Sequence, residues 1–242
     1  MSVMTRIGKM LAQAPDELLR EIRARTLLNP AQEAIYRDVL LRDLARLDIR
    51  DEFYPLGWAA SHGLLYLLTR AFQELPVTRA LEFGAGQTTV LLDRLRTRCR
   101  PAAEIVTVEH DPEWAAEVGR RVGHQVLLVP TTGTGTRHGA GFYGPDLIPP
   151  GPFDLMILDG PPAHAHADRL ARTGFADVFL DRLADDFVII IDDAERKGER
   201  QLVRMVRQRL GAAGISFGES EVIALKRQKL FFGGAFRRAA FF

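Results

Sequence analysis

Acidic side chains stand at the ends of several apolar runs in this chain, and their neighbours suggest what they could bind. Glu82 lies two residues before Gly84-x-Gly86, in the run Ala-Leu-Glu-Phe-Gly-Ala-Gly-Gln-Thr-Thr. Gly84 and Gly86 lack a Cβ, so the backbone can turn tightly and approach a ligand, and the segment after Gln87 reads as a helix whose N-terminus points at it. Glu82 can accept a hydrogen bond from an ammonium group. Glu109, closing a second apolar run, can accept two bonds from a ribose diol. Asp159, Asp192 and Asp193 follow two further runs. Clustered carboxylates repel unless a cation joins them, and hard oxygen ligands suit Mg²⁺ or a similar ion, which could bind two substrate oxygens and acidify a hydroxyl. The other reading is local: Asp192 or Asp193 caps the next helix, and Asp159 anchors the turn Gly160-Pro161-Pro162. His164 and His166, just past that turn, could act as general bases near neutral pH or be solvated loop residues. Asp111 before Pro112 reads as a helix cap.

The elements that would position these groups follow from periodicity. From residue 77 short apolar runs alternate with amphipathic stretches, giving strands near 79–83, 105–109, 125–129, 153–158 and 187–191 and helices near 88–98, 112–122, 166–184 and 196–211. Such alternation predicts an α/β domain with a parallel sheet covered on both faces. Residues 215–219 and 222–227 look like a closing antiparallel hairpin. Residues 1–75 carry helical periodicity at 15–28, 30–47 and 61–75 and form an accessory helical cap, interrupted by the aromatics of 53–58, which either wall a pocket or pack under a loop. The Gly-, Thr- and Pro-rich stretch 130–152 leaves the carboxyl edge of the sheet as a lid or an ordinary surface loop.

The 242 residues, 47% hydrophobic, suffice for one α/β domain with a modest addition. A formal charge of +1 supplies no global field for nucleic acid, so none is expected as a partner. The single cysteine, Cys99, excludes an intramolecular disulfide, and no run approaches the ~20 apolar residues of a membrane span. With no signal-like N-terminus either, the expected location is cytoplasmic.

Four ordered segments resemble the class I S-adenosylmethionine-dependent methyltransferases: Glu-Phe-Gly-Ala-Gly at 82–86, Val-Glu-His-Asp at 108–111, Phe-Asp-Leu-Met-Ile-Leu-Asp-Gly-Pro-Pro at 153–162, and Phe-Val-Ile-Ile-Ile-Asp-Asp-Ala-Glu-Arg at 187–196. The resemblance covers residues 77–227. It implies a Rossmann-like fold with a mostly parallel seven-stranded sheet and a reversed last strand. It also implies a cofactor site of Glu82, Phe83, Gly84, Ala85, Gly86, Thr88, Thr89, Glu109 and His110, and methyl transfer to an acceptor at Asp159. Thr89 stands where a dinucleotide fold wants a third glycine, so S-adenosylmethionine is expected rather than NAD. The acid pattern is similar to that of metal-dependent catechol and sugar O-methyltransferases, which places Asp159, Asp192 and Asp193 as ligands of a divalent ion such as Mg²⁺. The catechol group's Asn and Lys are replaced here by Asp193 and the Gly-Pro-Pro turn. Ala163 after the prolines departs from the aromatic clamp of amino-group methyltransferases, so the expected acceptor is a hydroxyl of a small molecule or saccharide.

Residues 76–228 are thus expected as the cofactor-binding core, and 229–242 as a basic, aromatic tail that either touches a membrane surface or packs in a homodimer or on the core. Two rival readings stand beside the methyltransferase one. One is a nicotinamide-dependent oxidoreductase; the other is a non-catalytic cofactor-binding scaffold at a membrane-linked assembly.

Overall fold

The computed structural model describes residues 28–55, 57, 59–132, 141–163 and 168–242. The expectations for Trp58, for residues 133–140 of the lid, for His164 and His166, and for all but the last residue of the helix at 15–28 lie outside these.

Continuous apolar runs make the central strands, because a strand buried on both faces needs no polar side. In β6 (Phe153–Leu158) Leu155 and Ile157 join one core layer while Met156 and Leu158 join the other; Val188 and Ile190 alternate likewise with Ile189 and Ile191 in β7 (Leu183–Ile191). These flank β1 (Arg79–Phe83), β2 (Glu104–Glu109) and β3 (Gln125–Leu128) on one side, β8 (Phe217–Ile223) and β9 (Arg227–Gly233) on the other. A two-residue pair, β4 (Thr131–Thr132) with β5 (Phe142–Tyr143), stands apart. The order is β3-β2-β1-β6-β7-β9-β8, parallel throughout except for both pairings of β9. This is the mostly parallel seven-stranded sheet with a reversed last strand that the resemblance implies. The chain winds outward from β1 to β3 and then returns to place β6 on β1's other side, so a crevice opens at the carboxyl ends of β1 and β6.

Helix α1 (Pro30–Arg46) starts with proline and with Asn29, whose side chain accepts from Gln32 N–H; Ser61 caps α2 (His62–Glu74) in the same way. Leu64, Leu65, Leu67, Leu68 and Phe72 of α2 are fully buried against the sheet and against α3 (Gln87–Cys99). Each such side chain contributes ~1.5–3 kcal/mol. Helix α2 is therefore a layer of the core itself, not an accessory to it. Helix α4 (Pro112–Gly119) begins at Asp111, whose carboxylate accepts from Trp114 N–H, and α5 (Lys197–Ala212) covers the other face with Leu202, Val206 and Leu210.

Two expectations fail. From residue 168 the expected helix 166–184 is replaced by 3₁₀ segments at Ala171–Asp177 and Leu180–Arg182, and β7 already begins at Leu183. Ala171, Arg172, Thr173, Phe175 and Ala176 are all buried, which leaves no solvent face for an amphipathic helix. A Cβ on Gly174 would lie 2.4 Å from Phe142 Cβ, so the backbone itself packs on β5.

The hairpin is also shifted, and the segment beginning at 229 is not a tail. Strand β9 lies inside the sheet, with Leu230 and Phe231 fully buried and Phe232 nearly so. Aromatics cover glycines across both of its ladders: the Phe232 ring of β9 lies over Gly218 of β8, and the Phe187 ring of β7 over Gly233 of β9. The following 3₁₀ segment, Gly234–Phe241, folds back and buries Phe236 and Ala239. Phe231, Phe232 and Phe236 face the core, while Phe241 is exposed, as are Arg237 and Arg238. Among the described residues no helix is long and apolar enough to cross a membrane.

Candidate active site

At the carboxyl edge a cavity of about 690 Å³ opens over the crevice between β1 and β6. That lies within the roughly 300–1,000 Å³ of small-molecule sites. Gly84, Ala85, Gly86, Thr88, Glu109, His110 and Asp159 line it, as do Asp193 and Arg196. Glu82, Phe83, Thr89 and Asp192 lie beneath the wall.

The glycine turn is shaped by one close approach. Gly84 has φ +95°, and a Cβ there would lie 2.8 Å from the backbone nitrogen of Gly160. Both features exclude a side chain. Gly86 differs: its φ is extended, and a Cβ on it would meet nothing within 4 Å, so its smallness leaves open space instead of relieving a contact. Helix α3 starts there, with Thr89 Oγ1 accepting from Gly86 N–H at 2.9 Å.

Glu109 ties this turn to β2. Ala85 N–H donates to its Oε2 at 2.9 Å, and His110 and Asp111 N–H donate to Oε1 at 2.7 and 2.9 Å. His110 Nδ1 stands 2.6 Å from Oε1. Trp114, half exposed at the mouth, donates from Nε1 to Ala85 O at 2.7 Å. Across the mouth Gln87 exchanges two hydrogen bonds with the backbone of Tyr54, and Ala59 and Ala60, just past the aromatic stretch, complete the wall.

Glu82 is fully buried under the turn. Thr89 and Thr107 hydroxyls donate to its Oε2 at 2.7 and 2.8 Å, while Oε1 has no hydrogen-bond partner. Burial pushes its carboxyl up to about 7 despite the threonines. The unpartnered oxygen is what a ligand ammonium could complete. Phe83 instead packs against Phe142, Tyr143 and Phe175 and supports the turn through its ring.

Asp159, Asp192 and Asp193 do converge, with one oxygen from each within 4.8 Å of the others. Cations of the chain already stand among them. Lys226 Nζ lies 3.2 Å from Asp192 Oδ2 and 3.3 Å from Asp193 Oδ1. Arg172, its side chain only 5% exposed, reaches Asp193 at 3.1 Å and Asp159 at 3.4 Å, and Arg196 reaches Asp193 at 2.8 Å. Gln228 Nε2 donates to Asp192 Oδ1 at 2.7 Å. The three oxygens are near enough to share an ion with ligands at ~2.0–2.6 Å, but Lys226 already stands between Asp192 and Asp193 and Arg172 beside Asp159, and this neutralised set does not fit a divalent ion. The local reading fails as well. Helix α5 begins at Arg196 with no side-chain cap, and it is Arg172 that holds the Gly160-Pro161 turn, donating to the carbonyls of Asp159 and Pro161.

These charges separate buried Asp192 from Asp159 at the rim. Burial raises Asp192, but Lys226 and Gln228 outweigh it and hold the carboxyl below its usual range. Burial and the charge of Asp192 push Asp159 well above that range. Asp159 therefore keeps its proton when Asp192 has lost its own.

Tyr143 was not legible as a site residue. It returns on β5 after the long loop, is 1% exposed, and brings a hydroxyl with no hydrogen-bond partner into the cavity wall beside Gly160. Burial and Glu109 raise its phenol well above the usual value, so it is a donor. Only the pairing of two-residue strands brings it here, and nothing in the sequence marks that.

Solved structures similar to the chain include a methyltransferase from Pyrococcus furiosus (18% identical, covering 81% of this chain and 96% of that one, TM-score 0.48). Others are an SAH-bound methyltransferase from Podospora anserina (16%, 92% and 96%, 0.49) and an O-methyltransferase from Bacillus cereus in complex with SAH (16%, 89% and 96%, 0.49). No protein-family model matches the chain, and no curated protein sequence does.

Proposed function

We propose that the chain is an S-adenosylmethionine-dependent methyltransferase acting on a hydroxyl oxygen of a small molecule or saccharide. The observation that carries this reading is one cavity lined together by the glycine turn, Glu109 and Asp159. When bound, the cofactor supplies an electrophilic methyl carbon, so the protein's work is alignment and proton handling.

Glu109 accepts from the ribose hydroxyls, exchanging part of its bonding to the turn for them. Glu82 Oε1 accepts from the ammonium group. Gly84 and Gly86 leave the backbone open to the amino-acid portion. Asp159 faces the acceptor, and its carboxylate form takes the hydroxyl proton as the oxygen attacks. A carboxyl pushed upward is the stronger base once ionised, so the rate should rise with pH above the ordinary carboxylate range. Tyr143 donates to a ligand oxygen. His164 and His166, following Ala163, are further candidates for the proton. No step requires Mg²⁺.

Calorimetric titration with S-adenosylhomocysteine tests this before any acceptor is known. Saturable one-site binding, weakened in Glu109→Ala, is expected. Failure to bind it while NADH fluorescence responds to the protein would move the chain to the oxidoreductase reading.

A further inference from the structure

The acid edge holds its own counter-ions in a form that a metal site would not tolerate. Lys226 lies in the turn between β8 and β9, and two backbone bonds fix that turn: Ala224 N–H donates to Lys226 O at 2.9 Å, and Ala194 N–H to Arg227 O at 2.7 Å. The second ties the turn to the loop carrying Asp192 and Asp193. Lys226 Nζ is thereby delivered between their carboxylates, the place a shared divalent ion would need. Arg172 cannot swing away, because Nε donates to Pro161 O at 2.9 Å and Nη2 to Asp159 O. Asp193 adopts φ +54°, uncommon without glycine, and in that conformation its carboxylate meets Arg172, Arg196 and Lys226 together. Glu199 lies 3.6 Å from Arg172 behind them.

We propose that Lys226, backed by Arg172, occupies the position of a divalent ion at this edge, so that the enzyme works without metal and Lys226 is a positioning residue for the Asp159–Asp192 pair. The acceptor chemistry in this statement rests on the function proposed above, whereas the occupation of the metal position does not. Removing the ammonium leaves Asp192 with no ion pair and frees the space between it and Asp193, which Arg172 and Arg196 still hold, and an oxygen-seeking cation becomes the natural occupant of that space. The substitution Lys226→Met keeps the length and apolar stem and deletes the charge.

The experiment is titration of the full chain with Mn²⁺, followed by electron paramagnetic resonance of the free ion. Three proteins are compared: wild type, Lys226→Met and Lys226→Arg. Wild type and Lys226→Arg should show no stoichiometric binding, while Lys226→Met should gain one site at least about tenfold tighter, lost again when Asp192→Asn is added. A merely structural lysine would give no such gain. One Mn²⁺ bound by wild type and lost in Asp192→Asn overturns the proposal, as does a folded Lys226→Met that gains nothing. Should Lys226→Met not fold, the wild-type titration decides alone. Binding of S-adenosylhomocysteine, measured on the same samples, reports separately on the methyltransferase reading.

Discussion

The glycine turn and the acid edge that line the cavity are built on opposite principles. At the glycine turn, groups are left incomplete: Glu82 Oε1 lacks a donor, and the space over Gly86 is open. At the acid edge, Asp192 and Asp193 are already met by Lys226, Arg172, Arg196 and Gln228. An incomplete buried polar group points to a ligand that will complete it, whereas a charge-paired cluster, even one in which Asp193 Oδ1 makes no hydrogen bond, points to a scaffold that orients whatever stands at its rim. Asp159, its side chain 17% exposed, is at that rim.

The sharpest way to break this contrast is Arg172→Met. It strands Asp193 and Glu199 in the core, and loss of one partner from a buried ion cluster should cost about 3–5 kcal/mol, read by urea denaturation. A change below about 1 kcal/mol would mean that the acids are not held by Arg172 at all.

Next in size is the pH response of Glu82. Its folded carboxyl is raised from 4.5 to about 7, so between those values the folded protein binds a proton that the unfolded chain does not. Its contribution to stability is therefore present below 4.5 and lost as pH rises through about 7, on the order of 3 kcal/mol in all. Glu82→Gln should flatten stability against pH across that window. An unchanged slope would show that another group titrates there.

Glu109→Ala should weaken S-adenosylhomocysteine by about tenfold to a hundredfold, the ~1.5–3 kcal/mol of bonds to a charged group, without unfolding the chain. Unaltered affinity in calorimetry would remove Glu109 from the site. The smallest effects separate the two glycines. Gly84→Ala forces a left-handed residue against Gly160 and should lose at least about 1–2 kcal/mol of stability. Gly86→Ala should stay within about 0.5 kcal/mol in the fold and show its effect on ligand affinity alone. Equal destabilisation of both would contradict the open space over Gly86.

Strands β1, β2, β6 and β7 were legible because burial on both faces demands uninterrupted apolar runs, and Glu109 because it ends one of them. Strand β9 was misread because lysine and arginine flank its phenylalanines, a composition that suits a surface segment until Gly218 is seen beneath the Phe232 ring. The helix expected at 166–184 failed because Arg172 is drawn inward to the acids, which periodicity cannot register.

Sequence alone determined the succession of apolar strands along the chain and the acids that end them, since those follow from local hydrophobic pattern, whereas the reversed last strand came only as what the family resemblance implies and the order across the sheet came from the fold. Tertiary structure decided which of those acids are already neutralised. Nothing in a sequence holding 32 lysines and arginines singles out Arg172 and Lys226. Charge pairing acts through space over a few ångströms, and the chain brings these two cations to the acids only after the sheet, its crossovers and the β8–β9 turn have formed.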